Sequence, residues 1–584
     1  MALRHLPYSA GLFAPLSGTS TAVPAGRTGQ FVRLLVWTCF PLTLGLAITR
    51  QSLWIDEGFT VWFAYHGDFQ SFLRALIGTR GDPGDPQFIF FLLHIWGWIK
   101  LFGASELALR AANIPFAVLY AYSLSWASRR LFWNDHLWAL FCISPFFWFY
   151  INEARPYAAI IAFSSAACVA LLAYLADPVR YGKHAPWYCL AALFLGWGMH
   201  ILTFFLFPVL LILVATSLYG NSDLRSRFLR DWRRPILCFL PAFSALAAFF
   251  FYVSANGVNK PEGTPSLSNL AFILYEFAGL AGIGPPRNDI REVHGLAVFL
   301  PYVPWLLLAI LAFLAVAYSV LAGTRTRLAR NLAISVACGM VVAMFFSRFE
   351  HFQVLGRHMA VLFPPLLMAL LMSQPRPSLS PRSSRLAVAS LSALALVWGI
   401  SDLRLVFLSK YQKDSYREAS SIALEKSRDE GAVIIWAADP VTARYYGINV
   451  EKWSPSPDYD AILRVGRAAP ASAIAGSSWD LNQATSQLAN SPVPIILVLS
   501  RPDSFDPRET WRTLIRSQHP SETARLNSMT VYEWQPQVTR RCSNCTNPEL
   551  PPHDLIADNK ALYIHPANCL TSVVSRPTRL PGAP

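Results

Sequence analysis

Charge is scarce in this chain of 584 residues: Asp, Glu, Lys and Arg make up 14% of it, against roughly 25% in a typical soluble protein. That shortage excludes a disordered chain and a wholly cytosolic enzyme. Cysteine offers no alternative framework. Of the nine Cys, Cys39, Cys142, Cys168, Cys189, Cys238 and Cys338 lie inside apolar runs and read as small core hydrophobes. Cys542 and Cys545 form a lone C-x-x-C with no second pair to complete a zinc site, and read as a surface pair. No glycine-rich phosphate loop follows a strand pattern, so no nucleotide site is expected. Acid is short relative to base, 35 residues against 49, for a net charge of +14. The Arg residues, however, stand in short tracts between apolar runs, which is a topology signal and not a nucleic-acid footprint.

What is abundant is apolar. Hydrophobic residues make up 54% of the chain, with 39 Phe, 21 Tyr and 19 Trp, and the mean hydropathy is +0.35. A polytopic α-helical membrane protein is expected, its aromatics settling at the two interfaces. A crossing helix needs about 20 residues, fewer where Arg or Lys can snorkel at its ends. Eleven runs qualify, at 34–49, 108–128, 137–152, 156–176, 187–199, 201–219, 236–253, 296–322, 331–347, 359–373 and 386–401. The first is read as an anchor and not a signal peptide, since no A-x-A site follows it.

Orientation turns on Phe88–Phe102, an apolar stretch of about 15 residues holding His94 and Lys100, too short to span comfortably. Kept on the outer surface, it leaves Arg129-Arg130, Arg180/Lys183, Arg225 to Arg234, Arg325 to Arg330 and Arg376 to Arg385 on one side, as the positive-inside rule requires. The same rule splits 187–219 into two short helices meeting near His200. The outer loops are then the acidic ones, among them Asp56, Glu57, Asp82, Asp85, Glu106, Glu153, Glu262, Glu276, Asp289, Glu292 and Glu350. Four segments follow: a cytoplasmic stretch 1–33, a transmembrane domain 34–407 with a long first outer loop 51–107, an extracytoplasmic α/β domain 408–536, and a disordered Pro-rich tail 537–584. In the α/β domain a helical pattern covers 414–429, and strands are expected at 432–437, 494–499 and 529–534.

Chemistry concentrates where acids meet the outer interface. Trp54-Ile55-Asp56-Glu57-Gly58-Phe59 directly follows the first run, placing a carboxylate pair where it can stay ionised yet reach a lipid-borne substrate. Asp56 suits a general base, with Glu57 bracing or capping the next helix; a favourable acidic helix start gives the same pattern. Glu153-Ala154-Arg155-Pro156-Tyr157 forms an outer turn with almost no loop, where a charged pair is costly unless matched or used; it reads equally as an anchoring ion pair. Arg357-His358 opens the tenth run and puts a guanidinium where a lipid phosphate would sit, or where an interfacial anchor would. His200 stands between two short helices, a place that structural histidines also occupy.

Together these residues resemble the GT-C superfamily of integral-membrane glycosyltransferases, in particular the family 39-like group with protein O-mannosyltransferases and the lipid A aminoarabinose transferase. The likeness covers about residues 30–410. It is carried by the Asp-Glu after the first run, by Phe90, His94, Trp96, Phe102, Gly103, Ser105, Glu106 and Arg110 of the outer-loop helix, by the Glu-x-Arg-Pro-Tyr turn, and by Arg357-His358. The resemblance implies inverting transfer of one sugar from a polyprenyl-phosphate carrier to a hydroxyl of a glycan, lipid or protein acceptor, at the outer face of a cell membrane such as the bacterial inner membrane. Asp56 would be the base and Glu153 the second acidic position, orienting the acceptor or a cation. The candidate catalytic residues are thus Asp56, Glu57 and Glu153; the candidate substrate-binding residues are Arg155, Tyr157, His94, His200, Arg357 and His358. A divalent cation is left open, and nucleic acid is not an expected partner. A transporter or flippase of lipid-linked glycans would place its acids within the spans, whereas here they gather at one surface; a polymerase of such glycans would share donor and side.

Overall fold

The computed structural model describes residues 40–79, 82–83, 86–131, 143–255, 266–292, 295–322, 326–351, 354–373, 381–451 and 471–536. The segment 1–33, the tail 537–584, Cys39, Cys142, Cys542, Cys545, Asp85, Glu262 and Arg376 lie outside the described residues. Of the runs 34–49 and 137–152, only the later parts fall within them.

The membrane-facing part is helical. The segment 51–107 carries α1 (Ile55–Ala64) and α2 (Ile89–Phe102), and α3 (Glu106–Arg130) returns to the bundle. Then come α4 (Pro145–Ile151), α5 (Tyr157–Ala176), α6 (Ala185–Met199), α7 (Ile201–Leu218) and α8 (Ser222–Ala255). After α9 (Leu267–Phe277) follow α10 (Val303–Ala322), α11 (Arg327–Phe349), α12 (Gly356–Met372) and α13 (Pro381–Phe407). Among the described residues seven helices are long and apolar enough to cross a membrane, and four shorter apolar ones, α2, α6, α9 and α12, accompany them.

Burial separates centre from periphery. In α5 the most apolar stretch is 78% buried, while in α8 it is 17% buried. The centre is small-residue packing: α5 presents Ala158, Ala159, Ala162 and Ala167, all fully buried, so α3 and α6 approach closely, as helices do in lipid when side chains are short. The periphery of α8 and α10 exposes Leu237, Phe251, Leu311 and Leu314, which only lipid would solvate without cost.

Two elements differ from the sequence expectation. The basic tract 225–234 is not a loop: it continues as helix into the apolar run, making α8 one 34-residue element. Arg is a good helix former, and its long stem lets a charged half-helix sit at an interface while the apolar half is embedded. The segment before 296, expected as loop, holds the apolar helix α9, started by Ser266 accepting from the Asn269 amide. Near His200 the chain is extended between α6 and α7, so 187–219 is two helices. At 14 residues α2 is about 21 Å long, short of the roughly 30 Å core. Trp96 and Lys100 tie it to the carbonyls of His66 and Gly67 in the segment 51–107.

After α13 the chain becomes an α/β unit. Helix α14 (Tyr416–Glu430) leads into β1 (Val433–Ala437), then come α15 (Pro440–Tyr445), β2 (Ile448–Val450), β3 (Ala471–Ala475), β4 (Ile495–Ser500), β5 (Ser521–Leu526) and β6 (Met529–Trp534). The sheet order is β2-β3-β1-β4-β6-β5, parallel from β2 through β4 and antiparallel beyond. Strands β1 and β4 are nearly continuous apolar runs buried on both faces, as central parallel strands must be. Three of its six strands, β2, β3 and β5, had no distinctive sequence pattern.

The α/β unit sits directly on the segment 51–107. Gly58 of α1 lies against α15, where a Cβ would come within 2.3 Å of Thr442 Oγ1; only glycine permits that approach. The Tyr446 hydroxyl accepts from the Leu53 amide at 2.6 Å and donates to Glu106 Oε1 at 2.7 Å. Arg417 adds an ion pair to Glu106 at 2.9 Å.

Candidate active site

The adjacent acids of α1 part company. Trp54 is extended, and Glu57, three residues on, turns back to accept from the Trp54 amide at 3.3 Å, a capping arrangement that satisfies an orphan helix donor. Glu57 is fully buried and gripped by Arg110 through two prongs, Nε to Oε1 at 3.0 Å and Nη2 to Oε2 at 2.8 Å. Lys413 and the Ala154 amide add bonds to Oε1 at 3.0 and 2.8 Å. Burial pushes this carboxyl up, but Arg110 and Lys413 outweigh it and hold it at about 2. Arg110 spends its remaining donors on the carbonyls of Thr49, Gln51 and Ser52. Glu57 therefore binds together the start of α1, α3, the 153–155 turn and the segment after α13.

Asp56 faces the other way. Its side chain is 26% exposed and accepts from Arg357 Nη1 at 3.0 Å. Arg357 also stacks over Trp54, 5.5 Å from the ring centroid. Burial would depress its guanidinium, but Asp56 and nearby groups raise it above its ordinary value, so it stays charged. Next to it, His358 Nδ1 accepts from the Leu355 amide at 3.0 Å, fixing the turn that aims Arg357. Gly356 lets this turn pass the Glu276 carboxylate, since a Cβ there would fall 1.7 Å from Oε2.

Beside this pair opens a small cleft, continuous with solvent. Trp54, Phe149, Glu153, Arg287, Arg357, Lys410, Tyr411, Lys413, Asp414 and Arg501 are among its lining residues. Glu153 is 2% exposed, and its Oε2 has no hydrogen-bond partner among the described residues. Burial, with Glu57 adding to it, raises this carboxyl to about 7 against the pull of Lys413, Arg287 and Arg357. Lys413 is the mirror case: burial brings its ammonium down to about 8, with Glu57 opposing. An acid and a lysine that titrate this close to neutrality, in one cleft, are what proton-handling sites contain.

The remaining sequence candidates are placed as follows. Arg155 donates to the Asp56 carbonyl at 3.1 Å and to Thr60 at 3.2 Å, and stacks over Phe88; it props the back of α1. Tyr157 is buried between the rings of Tyr150 and His200. His200 is buried, its Nδ1 accepting from the Leu202 amide at 3.2 Å, and burial with Arg155 nearby keeps its imidazole well below the ordinary value, hence neutral. His94 lies 2.9 Å from the Ala112 carbonyl and packs on Phe116, joining α2 to α3. None of these four lines the cleft, nor do Asp56, Glu57 and His358; of the sequence candidates Glu153 and Arg357 do, and Asp56 meets it through Arg357. Among the described residues there is no group of three or more His, Cys, Asp or Glu able to hold a metal ion.

Four cations of the cleft carried no signal in the sequence: Arg287, Lys410, Lys413 and Arg501. Arg287 pairs with Glu276 and stacks 3.5 Å over Phe149; it stands just past Pro285-Pro286. Lys410 and Lys413 follow α13 in a stretch that reads as the start of a soluble domain. Arg501 follows β4, some 90 residues later, and pairs with Asp414 at 2.6 Å.

Fold and site thus define a polytopic membrane protein with a half-buried acid–cation cleft beneath an α/β unit. This is the GT-C type of fold. Comparison with solved structures finds it in ArnT from Cupriavidus metallidurans in the apo state, 14% identical, with a TM-score of 0.50 over 87% of this chain and 98% of that one. A crystal structure of the same protein bound to undecaprenyl phosphate aligns over the same extents at 14% identity, with a TM-score of 0.48. No family model and no curated protein sequence matches the chain.

Proposed function

We propose that this protein is a membrane glycosyltransferase that moves a sugar from a polyprenyl-phosphate carrier to an acceptor hydroxyl at the extracytoplasmic face, with inversion. The observation that carries the reading is the Asp56–Arg357 pair at 3.0 Å, opening on a cleft that also holds Glu153. A carboxylate alone would suit many reactions. A carboxylate whose partner is an Arg suited to phosphate, beside a bilayer-embedded bundle, fits a lipid-phosphate leaving group.

In the resting pair Arg357 occupies the Asp56 carboxylate at 3.0 Å. An incoming carrier phosphate competes for the guanidinium and frees Asp56 at the moment a donor is present. Asp56 then takes the acceptor hydroxyl proton, the acceptor oxygen bonds to the anomeric carbon, and the carbon–oxygen bond to phosphate breaks on the opposite face. The electron pair leaves on the phosphate, which Arg357 and Arg287 neutralise. Glu153 orients the acceptor. Glu57 supports this as a structural residue, because all its lone pairs on the site side are engaged. The division into a transmembrane domain 34–407 and an extracytoplasmic domain 408–536 belongs to the same proposal.

The test is transfer from a panel of polyprenyl-phosphate sugars by the protein in lipid nanodiscs. Inverted product formed from at least one of them is expected. Failure with every carrier-linked sugar, alongside turnover of a nucleotide sugar, would replace this reading.

A further inference from the structure

At the end of α13 and just beyond it stand two cations, Arg404 and Lys410, that no carboxylate among the described residues answers. The other four cations of the cleft each pair with an acid. Arg404, on the last turn of α13, instead donates through Nη2 to the Tyr411 hydroxyl at 2.9 Å. Its guanidinium carbon lies 5.1 Å from the Trp305 ring and 5.3 Å from the Tyr411 ring. Its Nε and Nη1 are shielded from solvent and have no partner among the described residues. Lys410 donates to the Tyr302 hydroxyl at 3.3 Å and sits 4.9 Å and 5.2 Å from the Tyr302 and Tyr411 rings. Asp402 is no partner: two residues earlier on the helix it points about 200° round, and both its oxygens are buried without a hydrogen bond to any described residue.

A snorkelling Arg at a helix end would put its head in water. Arg404 does the reverse, holding it between two aromatic rings with two N–H groups unanswered, a state that costs free energy until an acceptor arrives. A planar fork beside a mobile ammonium is the donor set that recognises phosphate. The direction of approach is set by what surrounds it. On the neighbouring helix α10, Trp305 and Leu308, three residues apart and so on one side of the helix, are 40% and 42% exposed, an apolar face that only lipid would cover; on the other side Lys410 and Tyr411 line the cleft.

We propose that Arg404 and Lys410, framed by Tyr302, Trp305 and Tyr411, form an anion subsite at the lipid-facing mouth of the cleft that takes the phosphate head group of a membrane lipid. A carrier lipid held there stands between the bilayer and the Asp56–Arg357 pair; that final clause rests on the proposed transferase reading, while the subsite itself does not.

The test locates a probe and does not depend on turnover, so it stands or falls apart from glycosyl transfer. The full chain in phosphatidylcholine nanodiscs is irradiated with a polyprenyl monophosphate bearing a diazirine beside the phosphate, and adducts are mapped by mass spectrometry. Adducts on segments 300–306 and 404–411 are expected, falling at least about tenfold in Arg404→Gln and in Lys410→Gln. Arg404→Lys, which keeps the charge, retains more labelling than Arg404→Gln, and circular dichroism and thermal unfolding of each variant serve as the folding control. Competition by phosphatidylglycerol equal to that by unlabelled carrier makes this a general lipid-phosphate subsite; competition by the carrier alone makes it a carrier subsite, and either outcome sustains the proposal. Undiminished labelling in both Gln variants, or competition by inorganic phosphate as effective as by lipid, would overturn it.

Discussion

Lys413, on the segment joining the last membrane helix to the α/β unit, donates to Glu57 of α1 at 3.0 Å, across 356 positions of sequence. The same ammonium reaches the Asn152 carbonyl, one residue before Glu153. The segment is itself clamped by Asn527 of the β5–β6 turn, whose side chain donates to the Ser409 carbonyl and whose carbonyl accepts from the Ser415 amide. The α/β unit therefore contributes directly to the electrostatics of the cleft.

Removing that charge should show in the pH profile. Facing Glu153 are Lys413, Glu57, Arg287, Arg357 and the phenols of Tyr150 and Tyr157. Lys413 lowers the Glu153 carboxyl, so Lys413→Met lets it rise above its present value of about 7. If transfer needs Glu153 ionised, the acidic limb of kcat/KM moves to higher pH by about one unit, and Lys413→Arg restores it. An unshifted limb in Lys413→Met would remove Lys413 from the site's electrostatics.

Glu57 should act on stability. Glu57→Gln leaves Arg110 buried against half a partner, at a cost of about 3–5 kcal/mol. The sign with pH follows from its depressed carboxyl. Folded, it titrates at about 2, against an ordinary 4.5, so its stabilisation is whole above about pH 4.5 and is lost as pH falls toward 2. Thermal unfolding of wild type should thus lose more Tm across that window than Glu57→Gln does.

Gly58 tests the docking of the α/β unit. Gly58→Ala puts a Cβ 2.3 Å from Thr442 Oγ1 and 3.2 Å from its Cβ, an overpacking worth about 1–3 kcal/mol. Amide exchange in α15 and β2 should speed up, while the small-residue face of α5 should stay as protected as before. Unchanged exchange in α15 would mean the contact is loose.

Much of the bundle was legible in the sequence because membranes impose a simple rule: long charge-free runs, with basic tracts between them. His200 marked a break between two helices because one uninterrupted helix would have carried five Arg across. The Asp-Glu after the first run, the Glu153 turn and Arg357 were legible as interfacial polar residues in a chain that has few. Arg287, Lys413 and Arg501 were not. Their roles come from tertiary contacts, Lys413 with Glu57, Arg501 with Asp414 and Arg287 with Glu276, and a cation in a polar segment carries no local mark of the distant acid it will meet. The helical reach of α8 was missed because charge was taken as a helix boundary, when ten residues rich in Arg are good helix formers.

The most direct measurement compares wild type and Asp56→Asn for sugar transfer from a polyprenyl-phosphate donor, at saturating donor and with donor binding measured in parallel. Replacing the base should cut kcat at least about 10²-fold while the donor still binds, because Arg357 no longer has Asp56 to hold it. Equal turnover by the two proteins would contradict the assignment of Asp56 and the mechanism built on it.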